Sequence, residues 1–488
     1  MVRSSGGPDR SFSILEAAIP ELRRVMDEGL LTARELTAFY LDRIEACDRK
    51  GPQLQAMLSV NPHALKQADE LDEERVRQGP RGPLHGIPIV VKDNYNTADM
   101  PTTAGAEALA GFTAAADCRI VRNLRRAGAI ILGKTNLHEL ALFGLSRSAL
   151  GGQTKNPYDL TKTPGGSSGG TGAAVSANFA AAGTGTDAVN SVRSPASANN
   201  LVGIRPTKGL MDLEGILPVT FTQDNAGPIA RTVEDAAILF EVMEGGRYPC
   251  RAGLSAQGLA GCRIGVLRSF FGRSREHEEV NLIAGRALRQ MEELGAVVIE
   301  LDEPMLDAEE LLRELDVQRF EVRHEMERYF AAYRAPVQTL EELLAAGSFE
   351  PPIRAFLESA IGTPDMLEHP EYLQRLRMIG ELRDQLNALF AGHRLDALFY
   401  PHQKRLVVDI GEDSQYERNG ILAALTGFPA ITFPGGFSAP TETAPIGVPI
   451  GLELLGKPYE DAKLIRMAFA YEKAASMRRF PPFANASE

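Results

Sequence analysis

The chain has 488 residues, 44% hydrophobic and 24% charged, and a formal charge of −12. That balance suits a globular protein with a sizeable core, and an acidic excess without a basic stripe argues against nucleic acid or an anionic membrane surface as a partner. Four cysteines without CxxC spacing and eight histidines without an HExxH pattern give no metal motif. The absence of a basic-then-apolar leader or a run of about 18 apolar residues predicts a cytoplasmic protein with free thiols.

After ten polar, Gly/Pro-containing residues, Ser13–Glu16 and Thr32–Glu35 each fit the capping box and predict two helices separated by Gly29. Leu36, Phe39, Tyr40 and Ile44 recur at helical spacing, and a charged third helix is expected over 62–78. Residues 1–80 are therefore read as packing helices and 81–488 as a catalytic body, the two forming one structural unit. Gly86–Asn94 reads as a buried strand that ends in Lys92-Asp93. A lysine there either snorkels at a strand end or serves a site. A helix over 117–126, a strand over 129–132 and a helix opened by Lys134–Glu139 follow, with His138 expected to be exposed on that helix.

Residues 164–193 carry the most information. Glycines 165, 166, 169 and 170 bracket Ser167-Ser168, so the loop can take left-handed angles and bring N–H groups close to a ligand. Thr171–Ala182 reads as a helix of very small side chains, and Gly183–Asn190 as a second turn that ends at Ser191. Such a loop–helix–loop unit can present Ser167 and Ser191 to one cleft. A flexible Gly/Ser linker rarely continues into an apolar segment, and the Gly-Lys-Ser/Thr of a phosphate-binding loop is missing.

Downstream, a helix over 232–243 starts with Glu234 and Asp235, as the helix dipole favours. Strands are expected at 263–267, 297–301, 396–401 and 447–454, with helices at 275–294 and up to Glu472. Residues 306–390 are helix-rich, and their aromatics (Phe320, Tyr329, Phe330, Tyr333, Phe356) are read as core before pocket. No internal repeat is visible.

Gly165-Gly166-Ser167-Ser168-Gly169-Gly170, followed by Gly185-Thr186-Asp187 and Ser191-Val192-Arg193-Ser194-Pro195-Ala196, resembles the amidase signature family. The likeness runs from about Gly86 to Arg231 and resumes near the C-terminus. It implies an α/β fold, a large mixed sheet sandwiched between helices, with 306–390 as a helical insertion. It further implies a Ser–cis-Ser–Lys triad of Ser191, Ser167 and Lys92, with a cis peptide before Ser167. Backbone N–H groups of Ala188, Val189, Asn190 and Ser191 would form the oxyanion hole, with Ser168, Asp187 and Arg193 supporting them. Phe143, Gly144 and Gln223 are the residues expected to meet substrate, and Lys134 is expected to be structural. No metal or organic cofactor is needed. Lys92 must start neutral, well below its free pKa of ~10.4, which burial can achieve.

One departure stands out: Val189-Asn190 occupy the place of the family's usual two glycines. The resemblance points to neutral apolar or aryl amides as substrates, with carbamates (urethanes) and esters beside them, since no Arg or Lys cluster marks an anion site. The runner-up is the amidase subunit of a tRNA-dependent amidotransferase, and a non-catalytic binding protein ranks last while all three triad residues are present. Homodimeric assembly is left open.

Overall fold

A computed structural model of the chain describes residues 12–304, 306–363 and 368–485. Among these residues thirteen strands occur in chain order: β1 Met57–Val60, β2 Pro88–Lys92, β3 Ile130–Thr135, β4 Arg147–Ser148, β5 Gly152–Gln153, β6 Ala182–Thr186, β7 Val202–Arg205, β8 Ala226–Ala230, β9 Arg263–Leu267, β10 Val297–Leu301, β11 Ala397–Pro401, β12 Ala430–Phe437 and β13 Pro449–Gly456. Eleven form one sheet in the order β1-β3-β2-β6-β8-β7-β12-β13-β11-β9-β10, and β4 and β5 form a separate hairpin.

The sheet is mixed. β2 runs parallel to both β3 and β6, and β9 parallel to both β10 and β11, while the pairs between these groups are antiparallel. Strands β2, β3, β6, β7, β8, β11 and β13 are buried along their whole length. Such continuous burial requires helices on both faces, and the sequences match it: Pro-Ile-Val-Val-Lys, Ile-Ile-Leu-Gly-Lys-Thr and Ala-Leu-Phe-Tyr-Pro show no polar alternation. The exposure falls on the edge strands β1 and β10. The fold is α/β, as expected. Among the described residues no helix is long and apolar enough to cross a membrane.

Several local expectations need correction. Ser13–Glu16 caps nothing: the first helix begins at Ile19, and Glu16 is left-handed (φ 63°), its carboxylate held by Arg478 at 2.8 Å and by the Asn178 amide at 2.6 Å. Thr32–Glu35 does form its capping box. Residues 57–60 are a strand, so the N-terminal segment also supplies an edge of the main sheet. The small-residue helix spans Gly169–Ser176 rather than reaching Ala182. Asn178 turns left-handed at φ 57°, and β6 begins at Ala182. β6 reads Ala-Gly-Thr-Gly-Thr because a side chain at Gly183 would run into Val90 of β2 and Thr171 of the helix. A strand pressed this closely has room for little else, which is why it reads as a turn. Residues 306–363 and 368–390 are helical, with helices Ala308–Leu315, Gln318–Tyr333, Leu340–Ala346, Pro351–Ile361 and Pro370–His393.

Candidate active site

The parallel register of β2 and β6 pairs Val91 with Thr184, so both strands deliver their C-terminal residues, Lys92 and Thr186, to one edge of the sheet. That edge is where open α/β sheets collect their ligands. Lys92 is completely buried, and its Nζ lies 2.7 Å from Ser167 Oγ and 2.8 Å from Thr186 Oγ1. Burial holds its ammonium pKa down at about 7, although Asp224 and Asp187 pull it back up. The amine is therefore substantially neutral near neutral pH, as a proton acceptor must be.

Ser167 is fixed through its backbone. The Gly166–Ser167 peptide is cis, and the Ser167 carbonyl accepts the His138 N–H at 2.9 Å. Ser168 donates its N–H to the Ser191 carbonyl at 3.2 Å and its hydroxyl to the Thr186 carbonyl at 3.3 Å. These bonds seat the Ser191 turn on the glycine-rich loop. Ser191 lines a cavity of about 350 Å³. Among the described residues its Oγ has no hydrogen-bond partner, Ser167 included.

The loop before Ser191 shows a sharp division of labour. The N–H of Asp187 is given to the Asn225 carbonyl and that of Val192 to the Asp187 carboxylate. Between them, the N–H groups of residues 188–191 go to no acceptor among the described residues. None of Ala188, Val189 and Asn190 is left-handed, so glycine is not required at these positions. The Asn190 side chain also ties the loop to a neighbouring segment: its Oδ1 accepts the Gly420 N–H at 3.0 Å.

Beneath this loop lies a buried ion network. Asp187 accepts Arg193 Nε at 3.1 Å and Arg205 Nη1 at 2.9 Å, and Arg193 reaches Glu453 at 2.6 Å and the Val189 carbonyl at 2.5 Å. Glu453 also accepts His402 Nδ1 at 2.6 Å, Tyr400 at 3.0 Å and Thr432 at 3.1 Å. Despite complete burial, the two arginines hold the Asp187 carboxyl well below the usual range, and Arg193 with His402 holds Glu453 at about 2. Buried charges paired this thoroughly fix geometry.

The sequence reading gives no role to Glu453, Arg205 or Thr186. Glu453 left a signal, a lone carboxylate in the apolar run Pro449–Gly456.

The cavity at Ser191 is lined by Phe143, Val189, Asn190, Leu312, Asp316, Gln318, Phe356 and Arg418, among others. Phe143 stands there as expected, its ring 6.2 Å from that of Phe356. Phe356 thus lines the pocket as well as packing against the core. The other two expectations differ. Gly144 lies behind the wall, where a side chain would overlap the Arg418 guanidinium. Gln223 is fully buried and spends its amide on Asp316 (3.1 Å) and the Val317 N–H (3.1 Å), anchoring the insertion. His138 is not exposed on a helix either. It is buried before a short 3-10 turn, its Nδ1 accepts the Leu145 N–H at 2.9 Å, and burial lowers its pKa to about 3. Apolar Leu137 and Leu140 beside it explain the burial. Lys134 pairs with Asp93 at 3.0 Å inside the core. The wall segment also holds Leu140, Ala141, Phe143 and Ser146 in left-handed backbone, unusual for such residues and typical of functional loops. A second cavity of about 350 Å³, lined by Asp224, Tyr329 and Tyr333, reaches Thr186 from another side.

Fold and site together define an α/β amidohydrolase. The chain belongs to the amidase family, whose profile (Amidase) matches residues 35–465. The peptide amidase of Stenotrophomonas maltophilia superposes with a TM-score of 0.86 at 36% identity, covering 96% of this chain and 99% of that one. A probable amidase of Arabidopsis thaliana is 32% identical over 97% of this chain and 93% of its own length. One component chain of the glutamyl-tRNA(Gln) amidotransferase of Moorella thermoacetica is also 32% identical, over 95% of this chain and 97% of its own length. The protein is an amidase-family serine amidohydrolase, an enzyme of C–N bond cleavage.

Proposed function

We propose that the enzyme hydrolyses apolar and aryl amides, and carbamates of similar shape, through an acyl-enzyme on Ser191. The observation that carries this reading is the run of four undonated N–H groups at 188–191 beside a free serine hydroxyl. Ser191 Oγ attacks the carbonyl carbon, and its proton passes to Ser167 Oγ as the Ser167 proton passes to neutral Lys92 Nζ. The oxyanion that develops takes the N–H groups of the 188–191 loop, stabilisation worth about 3 kcal/mol per well-placed donor. The relay then runs backwards and protonates the leaving amine. Water attacks the acyl-Ser191 ester by the same path and releases the acid. Asp187, Arg193 and Ser168 position the loop, and Phe143 and Phe356 offer the substrate an apolar wall.

Phenylmethanesulfonyl fluoride tests the nucleophile: peptide mapping is expected to find the adduct on Ser191, and an adduct elsewhere removes Ser191 from this role. Release of 4-nitroaniline from 4-nitroacetanilide and of amine from aryl carbamates tests the substrate class. A second reading, the amidase component of a tRNA-dependent amidotransferase, is favoured by the glutamyl-tRNA(Gln) amidotransferase relatives at 30–32% identity. Glutaminase activity that appears only with partner proteins, together with no turnover of anilides, would establish it instead.

A further inference from the structure

Among the described residues Arg418 is the one cation on the Ser191 cavity wall, and no hydrogen bond or ion pair there engages its guanidinium. The charges around it are already committed. Asp187 is held by Arg193 and Arg205. Glu417, its chain neighbour, pairs with His277 at 3.1 Å and Arg405 at 3.9 Å. Asp316, across the cavity, accepts the amides of Gln223 (3.1 Å) and Gln318 (2.8 Å). The position is nonetheless built: a side chain at residue 144 would occupy the guanidinium's place, so Gly144 makes room for it. Gly144 in turn lies against Gly166, a side chain on which would meet the Gly144 carbonyl carbon at 2.8 Å. The cation is thus two backbone layers from the Gly166–Ser167 peptide. Burial lowers its pKa only to about 10, so it keeps its charge at neutral pH.

A partly buried, unpaired guanidinium costs stability, and an anionic group bound in the cavity would supply its counter-charge. Its planar fork matches a carboxylate. We propose that the amide substrate of this enzyme carries a carboxylate, which Arg418 binds within the Ser191 cavity while Phe143 and Phe356 take the apolar part. The proposal rests on Ser191 being the nucleophile and replaces a wholly neutral substrate with an apolar one bearing an anionic end.

Two probe series test it by release of the aromatic amine. One places the carboxylate on the acyl side (the 4-nitroanilides of succinic, glutaric and adipic acids) and one on the amine side (N-butyryl aminobenzoates), each against a neutral isostere. In the wild type at least one carboxylated probe is expected to exceed its isostere in kcat/KM by about 10- to 100-fold. Arg418→Gln should erase that ratio mainly through KM, and Arg418→Lys should keep part of it. Glutarate or benzoate should slow sulfonylation of Ser191 in the wild type and not in Arg418→Gln. Arg418→Met should melt no lower than the wild type, because it removes an uncompensated cation; a structural arginine would behave oppositely. The proposal is overturned if no probe shows the preference, or if the preference survives Arg418→Gln. Failure of Ser191 to react with the sulfonyl fluoride at all would overturn the parent reading instead.

Discussion

The floor of the site and its wall are built on opposite plans. The floor is made of contiguous sequence: 164–168 and 186–193 carry both serines, the free N–H groups and the Asp187–Arg193 pair, and one further strand adds Lys92. Its polar groups are almost all satisfied by protein, and what is left free, Ser191 Oγ and four N–H groups, is what a tetrahedral intermediate would use. The wall gathers single residues from distant places, Phe143, Asp316, Phe356 and Arg418, on a left-handed loop, the helical insertion and a late loop. Its free groups are a cation and aromatic faces. The floor decides which bond is broken, and the wall decides whose.

If this division holds, substitutions in the floor act on kcat by orders of magnitude and those in the wall act on KM by single powers of ten. The largest effect is expected for Ser191→Ala, which should abolish turnover. Ser167→Ala and Lys92→Ala should each lose at least about 10³-fold in kcat, since members of a concerted unit are lost nearly as a whole. Near-normal kcat in any of the three would take that residue out of the relay.

Next comes the ion network under the floor. Glu453→Ala leaves Arg193 Nη1 and His402 Nδ1 without the acceptor they share in a dry interior, and loss of one partner of a buried pair typically costs about 3–5 kcal/mol. Because the folded pKa of Glu453, about 2, lies below its ordinary 4.5, its contribution is complete above 4.5 and disappears as pH falls towards 2. Thermal melting of the wild type and Glu453→Gln between pH 6 and 3 checks this: the wild type should lose its advantage as the pH falls. A constant difference would assign the stability elsewhere.

Legibility followed the same line. The amidase-type floor was readable because the glycines, serines and Asp–Arg pair lie close in sequence, and each residue type is explained by a local demand. Lys92 was marked by its place at the end of an apolar strand. The strand at Ala182–Thr186 was missed because its small residues answer to crowding by Val90 and Thr171, a tertiary fact. Gln223 and Gly144 were assigned to substrate, yet one anchors the insertion and the other makes room for Arg418. Arg418 could not be read at all, since an arginine in a polar stretch shows no sign of lacking a partner. Long-range contacts define the wall, and a single sequence does not display them.

Smaller effects sharpen the boundary. Phe356→Ala should raise KM for aryl amides about tenfold with little change in kcat, as loss of apolar contact area implies. An equal fall in kcat would place this ring in the floor's work. Asn190→Gly loses the bond to Gly420 and loosens the loop that carries the free N–H groups, so kcat should fall several-fold with KM nearly constant. Unchanged kinetics would mean that Arg193, through Val189 and Gly420, holds the loop alone.

The smallest and sharpest test is electrostatic. Lys92 acts as a base only when neutral, so kcat/KM should rise tenfold per pH unit below about 7 and level off above it. Asp224 lines the second cavity, and its carboxylate raises the Lys92 pKa against the effect of burial. Burial lifts the Asp224 pKa to about 6, so the anion is the main form at the Lys92 midpoint near 7 and is half protonated at pH 6. Asp224→Asn removes that charge and keeps an oxygen to accept the Val219 and Thr220 N–H groups, now at 2.8 and 3.1 Å. With its anionic neighbour gone, Lys92 should be easier to deprotonate. The midpoint of the acid limb should therefore move down by up to about one unit, a gain of a few-fold in kcat/KM at pH 6, with the plateau unmoved. Phe356→Ala, a wall change, should leave the midpoint where it is. A midpoint that stays at 7 in Asp224→Asn, or moves up, would mean that the limb reports a group other than Lys92.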